Sequence, residues 1–213
     1  MTELFSGYDK NTQKLVFRVY AEALPQTEKR LKHKDAHFAA LDLLGAALAE
    51  DFGVRHAVIR RVGLGKPQLM HDFLHINISH CKGFAVAAVG TVPLGVDAEA
   101  PRAVRESLLQ KVCTAEEIAQ IQAADDGNRM FARFWTLKEA YAKYTGEGIG
   151  LDFSTLGFSF SENGAVTFRH PEADRVQFFH ILTGEMISVS LCCQNEISLK
   201  SECPAGRILR SRN

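Results

Sequence analysis

The sequence predicts an α+β protein made of two similar halves. Three observations carry that expectation. A strand, a long helix and a run of antiparallel strands occur in that order twice. The second passage restarts directly after Pro93 with a fresh apolar strand. At 213 residues and 46% hydrophobic content, the chain can bury a sizeable core and has the length of one large or two small domains.

In the first passage, Leu15 to Val19 reads as a strand. A helix follows from about Thr27 to Glu50 and stops before Gly53, and strands come near 56–62, 73–78 and 84–90. The second passage opens with a strand at 94–99 and continues with helices near 104–123 and 129–145. Strands near 155–161, 165–169, 176–182 and 187–193 complete it, with Asn163-Gly164 as a hairpin turn. The expected organisation is therefore an N-terminal half at 1–92, a C-terminal half at 93–195 and a mobile tail at 196–213. That tail carries Lys200, Arg207, Arg210 and Arg212 with little periodic apolar content. No residue-level repeat links the halves, so the duplication rests on element order.

Charge excludes some classes of partner. Lys and Arg number 25, as do Asp and Glu, and the pI is about 7.1. A general nucleic-acid or membrane binder would carry a basic excess. No apolar run reaches membrane-spanning length, and Met1-Thr2-Glu3-Leu4-Phe5 lacks a basic segment leading into an apolar one, so a cytoplasmic location is expected. Cys81, Cys113, Cys192, Cys193 and Cys203 form no paired CxxC spacing, which indicates neither a zinc site nor a disulfide framework. They are expected to be reduced and mostly buried.

The chemistry concentrates in two segments. In Gly95-Val96-Asp97-Ala98-Glu99, strand alternation projects Asp97 and Glu99 from one face. In Phe134-Trp135-Thr136-Leu137-Lys138-Glu139-Ala140-Tyr141-Ala142-Lys143, helical spacing aligns Trp135, Glu139 and Lys143 on one stripe. Each is ordinary when taken singly: a solvated strand face, and an i,i+4 ion pair. If they meet, three carboxylates share one site, and each like-charge contact costs about 4 kcal/mol at an effective dielectric of 20. A cation relieves that cost. An all-oxygen donor set suits Mg2+, which shares its coordination sphere with phosphate oxygens, so a polyphosphate substrate is expected.

Read in order, Gly65-Lys66-Pro67, Asn77-Ile78-Ser79-His80, Gly95-Val96-Asp97-Ala98-Glu99 and Trp135 to Lys143 closely resemble the surfactin-synthetase-activating type of 4'-phosphopantetheinyl transferase. The likeness covers about 65–151, with a weaker extension at Lys34-Asp35-Ala36-His37. The resemblance implies a pseudo-twofold pair of α+β subdomains with coenzyme A in the cleft between them. It also implies a Mg2+-dependent enzyme, which moves the phosphopantetheine arm of coenzyme A onto a serine of an apo acyl, peptidyl or aryl carrier protein and releases 3',5'-ADP.

Carried over by position, the resemblance makes Asp97, Glu99 and Glu139 metal ligands and Lys143 a contact to the coenzyme A phosphates. It makes Ser79 and His80 holders of phosphate, chiefly the 3'-phosphate, and Lys66 and Pro67 the adenine lining. Thr114-Ala115-Glu116-Glu117 resembles the family's Ser/Thr-x-x-Glu, which makes Glu117 a candidate base for the attacking serine. The same four residues also read as a capping box. Trp135 is expected to pack in support of the metal-bearing helix.

One departure stands out. Phe38-Ala39-Ala40 replaces a basic residue expected shortly after His37, and Lys29, Arg30, Lys32 and Lys34 are nearby substitutes. Two halves in one chain predict a site complete within a monomer. The resemblance does not choose between fatty-acid, polyketide and nonribosomal-peptide carriers. Two other classes use related chemistry: a non-catalytic coenzyme A or nucleotide-binding module, and a Mg2+-dependent phosphohydrolase with water as nucleophile. Neither accounts for the ordered motif set.

Overall fold

The computed structural model describes residues 1–24, 33–60, 66–70, 73–161, 164–184, 186–199 and 209–210. Strands β1 (Thr2–Asp9) and β2 (Leu15–Ala23) precede helix α1 (His33–Phe52). Strands β3 (Ile59–Arg60), β4 (Gln68–Leu69), β5 (His75–Cys81), β6 (Phe84–Gly90) and β7 (Leu94–Glu99) follow. Helices α2 (Glu106–Val112), α3 (Ala115–Ala123) and α4 (Gly127–Thr145) come next. The chain continues with β8 (Gly157–Phe160), β9 (Val166–Arg169), β10 (Val176–Leu182), β11 (Ser188–Gln194), β12 (Ile197–Leu199) and β13 (Leu209–Arg210).

Two antiparallel sheets dominate, in strand orders β12-β1-β2-β6-β5 and β13-β10-β11-β7. Their layering follows from the side-chain pattern. In β6, Phe84, Val86 and Ala88 join a core that also holds Val96 and Ala98 of β7 and Val189 and Leu191 of β11. The alternate residues Ala85, Ala87 and Val89 pack with Leu43, Leu44, Ala47 and Leu48 of α1. A strand buried on both faces must be apolar throughout, which explains the unbroken Phe84–Gly90 run. On the far side of the second sheet, Cys192 and Phe178 pack with Phe134, Leu137, Ala140 and Tyr141 of α4. The order of layers is α1, first sheet, second sheet, α4.

Helix α4 has clear termini. The Asp126 side chain accepts from the Arg129 amide at 3.0 Å, and Gly146 ends the helix in the left-handed conformation at φ +81°. No helix among the described residues is long and apolar enough to cross a membrane.

The sequence reading differs from the structure in β1, in the helix expected over 104–123 and in the tail. Strand β1 was not anticipated, because register shifts between Glu3 and Phe5 and between Gly7 and Tyr8 break the period-2 signal. The single helix expected over 104–123 is two, since Thr114 caps a new start at α3. Helix α1 begins at His33, and the expected segment from Thr27 to Lys32 lies outside the described residues, as does Asn163 of the hairpin turn. The tail expected from 196 contributes Ile197–Leu199 to the first sheet, where they pair with Gly7–Asp9. Ile197 and Leu199 are buried there, and that burial holds the segment.

Candidate active site

Strands β5 and β7 belong to different sheets and meet through side chains. The Val96 amide donates to Asn77 Oδ1 at 2.9 Å, and the Ala98 amide donates to Ser79 Oγ at 3.2 Å. Side chains of β5 thus satisfy the edge of β7 that another strand would otherwise cover. Ser79 Oγ also donates to Asp97 Oδ1 at 2.7 Å, and so fixes the carboxylate it supports.

Helix α4 closes the other side of β7. A Cβ on Gly95 would lie 2.1 Å from the Ala140 carbonyl oxygen and 2.4 Å from the Tyr144 nitrogen, so only glycine lets the strand lie this close to the helix. That approach brings Lys143 Nζ to 2.7 Å from Asp97 Oδ1 and 3.0 Å from the Val96 carbonyl. The alternation expected in β7 holds: Leu94, Val96 and Ala98 face the core between the sheets, while Asp97 and Glu99 reach a cleft.

The cleft is about 800 Å³ and is lined by Lys66, Pro67, Ser79, His80, Asp97, Glu99, Glu139 and Lys143 among others. Burial pushes the Glu139 carboxyl up to about 7, with the negative charges of Asp97 and Glu99 adding and the Lys143 ammonium opposing. Glu99 is raised in the same way, first by burial, and Arg102 stands 3.8 Å away. Three carboxyls line this wall beside one lysine, and an all-oxygen donor set of that kind fits a hard divalent cation. Among the described residues, no three His, Cys, Asp or Glu side chains stand in a ready-made metal-holding group. Asp97 is turned toward Lys143 and Ser79.

At the start of β7, Lys66 donates to the Leu94 carbonyl, and burial brings its ammonium down to about 8. The His37 and His80 rings meet edge to face with centroids 5.5 Å apart, and both line the cleft. Phe38 points outward and is 59% exposed. Of the proposed basic substitutes, Lys29, Arg30 and Lys32 lie outside the described residues, as does the side chain of Lys34.

Glu117 is not in the cleft. It is 0% exposed; Oε1 accepts from the Phe158 amide at 2.9 Å, and Oε2 accepts from the Thr114 amide at 2.8 Å and pairs with Lys138 Nζ at 2.7 Å. The capping box is complete. Both carboxylate oxygens are engaged in a closed interior, so Glu117 cannot reach a substrate hydroxyl, and the base expectation is corrected to a structural one.

Sequence reasoning missed several cleft residues. Asn77 was quoted within a motif but given no role. Trp135 lines the cleft as well as packing, stacked on Phe131 at 5.8 Å and edge-on to Phe153 at 5.5 Å. Gly146, Glu147, Gly148 and Gly150 form a lip beyond α4. The alternating glycines of Gly146-Glu147-Gly148-Ile149-Gly150 were the available signal.

Comparisons with known proteins agree with this geometry. Residues 93–193 match the family model of the 4'-phosphopantetheinyl transferase superfamily. The chain is 32% identical over 113 residues to 4'-phosphopantetheinyl transferase psf-1 of Bacillus pumilus, covering 52% of this chain and 48% of that protein. It is 26% identical over 170 residues to 4'-phosphopantetheinyl transferase ffp of Bacillus subtilis, covering 76% of each. Against 4'-phosphopantetheinyl transferase Sfp of Bacillus subtilis strain 168 it is 25% identical over 154 residues, covering 68% of each. The chain thus spans about half the length of the first of these relatives and two thirds to three quarters of the other two. Asp97, Glu99, Glu139 and Lys143 all fall inside the matched segment, and over that segment the chain is similar to the Sfp-like 4'-phosphopantetheinyl transferases.

Proposed function

We propose that the protein transfers the 4'-phosphopantetheine group of coenzyme A to a serine hydroxyl of an apo acyl or peptidyl carrier protein and releases 3',5'-ADP. The observation that carries this reading is the convergence of Asp97, Glu99, Glu139 and Lys143 on one cleft, with Lys66, Pro67, Ser79 and His80 on the same walls.

In the reaction, the serine oxygen bonds to the phosphorus bearing the pantetheine arm, the bridging bond to the second phosphorus breaks, 3',5'-ADP departs with the bridging oxygen, and the hydroxyl proton passes to solvent. Such a transfer needs positioning and charge stabilisation more than covalent help. Lys143, held by Asp97 and the Val96 carbonyl, presents its ammonium to the diphosphate. His80 and Lys66, which line the same cleft, would bind the nucleotide end. Asp97, Glu99 and Glu139 would hold Mg2+, which neutralises diphosphate charge when bound. Asp97 would exchange part of its hold on Lys143 for the metal.

This reading treats 1–92 and 93–195 as two halves in pseudo-twofold arrangement, with the cleft between them, acting as a monomer. The carrier would dock beside the acidic wall, on the groove formed by Arg102, Val104, Arg105, Leu108 and Lys111. Incubation with coenzyme A, Mg2+ and a panel of apo carriers, followed by intact mass, tests the reading. A carrier gaining one phosphopantetheine supports it. Free phosphopantetheine with unmodified carrier would instead identify a hydrolase.

A further inference from the structure

Glu117 and Lys138 form an ion pair more deeply buried than any other described here, at 0% and 1% side-chain exposure. Its partners lead to the cleft. Lys138 Nζ has three protons: one faces Glu117 at 2.7 Å, and the others go to the carbonyls of Phe153 at 2.7 Å and Leu156 at 2.8 Å. These carbonyls end the segment that leaves α4 at Gly146, forms the glycine lip and returns through Leu151 and Asp152. The Phe153 ring then packs against Trp135, one turn before Glu139. Glu117 is anchored in turn by the start of α3 and by the Phe158 amide at the head of β8. Trp135, Gly148 and Gly150 are shared with a second groove lined by Val112, Leu151 and Phe153, so the same wall separates two openings.

We propose that the Glu117–Lys138 pair is a positioning device for this wall. It pins the 146–156 segment and the Trp135–Phe153 contact, sets how tightly coenzyme A is held, and takes no part in the bond changes. The proposal rests on reading the cleft as a coenzyme A site. Lone removal of either partner strands a buried charge and endangers folding, whereas a neutral pair of similar length keeps the interior filled. The double variant Glu117→Gln/Lys138→Met is therefore the informative one.

The chain has a single tryptophan, so its fluorescence reports Trp135 alone. The first measurement is acrylamide quenching of ligand-free protein, in which the double variant should be quenched about twice as strongly as wild type once Phe153 is no longer pinned. The second is steady-state transfer, in which KM for coenzyme A should rise about tenfold with kcat nearly unchanged, as for lost uniform binding. Unchanged quenching and unchanged KM in a folded double variant would overturn the proposal. So would a collapse of kcat at constant KM, which would put the pair in the chemistry. If wild-type protein failed to bind coenzyme A, the functional reading would fall, and the quenching comparison would still decide whether the pair holds the wall.

Discussion

Lys143 joins the structural and chemical parts of the account. Its ammonium touches the Val96 carbonyl and Asp97 Oδ1 while lining the cleft, so it holds the strand that carries the acids and faces the space proposed for the diphosphate. A cation beside the transferred phosphorus acts mainly where charge rearranges. Lys143→Ala should therefore lower kcat by about 100-fold or more, with a smaller loss of coenzyme A affinity by calorimetry. An affinity loss equal to the kcat loss would reduce Lys143 to a binding group. The shared faces of Asp97 with Glu99 and of Glu139 with Lys143 were legible because a helix period and a strand period each fix a face from sequence alone. Glu117 carried two readings, base and cap, and the sequence alone did not choose between them. Its motif has a local meaning as a cap, and nothing in a linear sequence shows that Lys138, twenty-one residues on, seals it inside.

At the scale of elements, the Gly95 contact decides whether strand and helix can cooperate. Gly95→Ala would force a methyl into the backbone of α4, against the Ala140 oxygen and the Tyr144 nitrogen. The expected cost is about 1–3 kcal/mol, as for overpacked interiors, visible as a lower urea midpoint. Activity should fall further than stability explains, because β7 would carry Asp97 away from Lys143. An unchanged midpoint would show that the strand stands off the helix.

Strand β10 supplies the pH-sensitive element. His180 is fully buried beside Ser190 Oγ at 3.0 Å, and burial, aided by Arg133, pulls its imidazole down to about 3. Unfolded histidine titrates near 6.5, so below that pH the unfolded chain binds a proton that the folded chain refuses. Stability should be level above pH 6.5 on this account and fall by about 1.4 kcal/mol per pH unit between 6.5 and 3. His180→Leu should flatten that limb of the profile in urea titrations. An equally steep limb in the variant would assign the loss to other groups.

For the whole molecule, the long periodic elements were legible: α1, β5, β6, β7, α4, β10 and β11 stand close to their expected places. What escaped were segments whose burial depends on distant partners. Strand β12 pairs with β1, nearly the whole chain away in sequence, and the bulges of β1 hide its own alternation. The cleft was legible as four motifs, but the lip and the Trp135 wall emerge only once α4 lies across β7.

Long-range charge also belongs to this scale. With equal acidic and basic counts, attraction of the proposed carrier, if its docking face is acidic, would have to come from a local patch, and Arg102, Arg105 and Lys111 line one groove next to Glu99. Reversing Arg102 and Arg105 to Glu should raise the carrier KM, most at low salt where screening is least, and leave coenzyme A binding nearly unchanged. Equal carrier KM values across a salt series would move the docking face elsewhere.

One cleft, lined by Asp97, Glu99, Glu139 and Lys143 where β5, β7 and α4 meet, is proposed to perform a metal-dependent phosphopantetheine transfer. Its most direct test is intact mass of an apo carrier incubated with coenzyme A and either the wild-type protein or Asp97→Ala, with Mg2+ or after exhaustive chelation. The account predicts one added phosphopantetheine for wild type with Mg2+. It also predicts a rate lower by about 100-fold or more for Asp97→Ala, and none after chelation. Undiminished transfer without metal, or an Asp97→Ala rate equal to wild type, would contradict it.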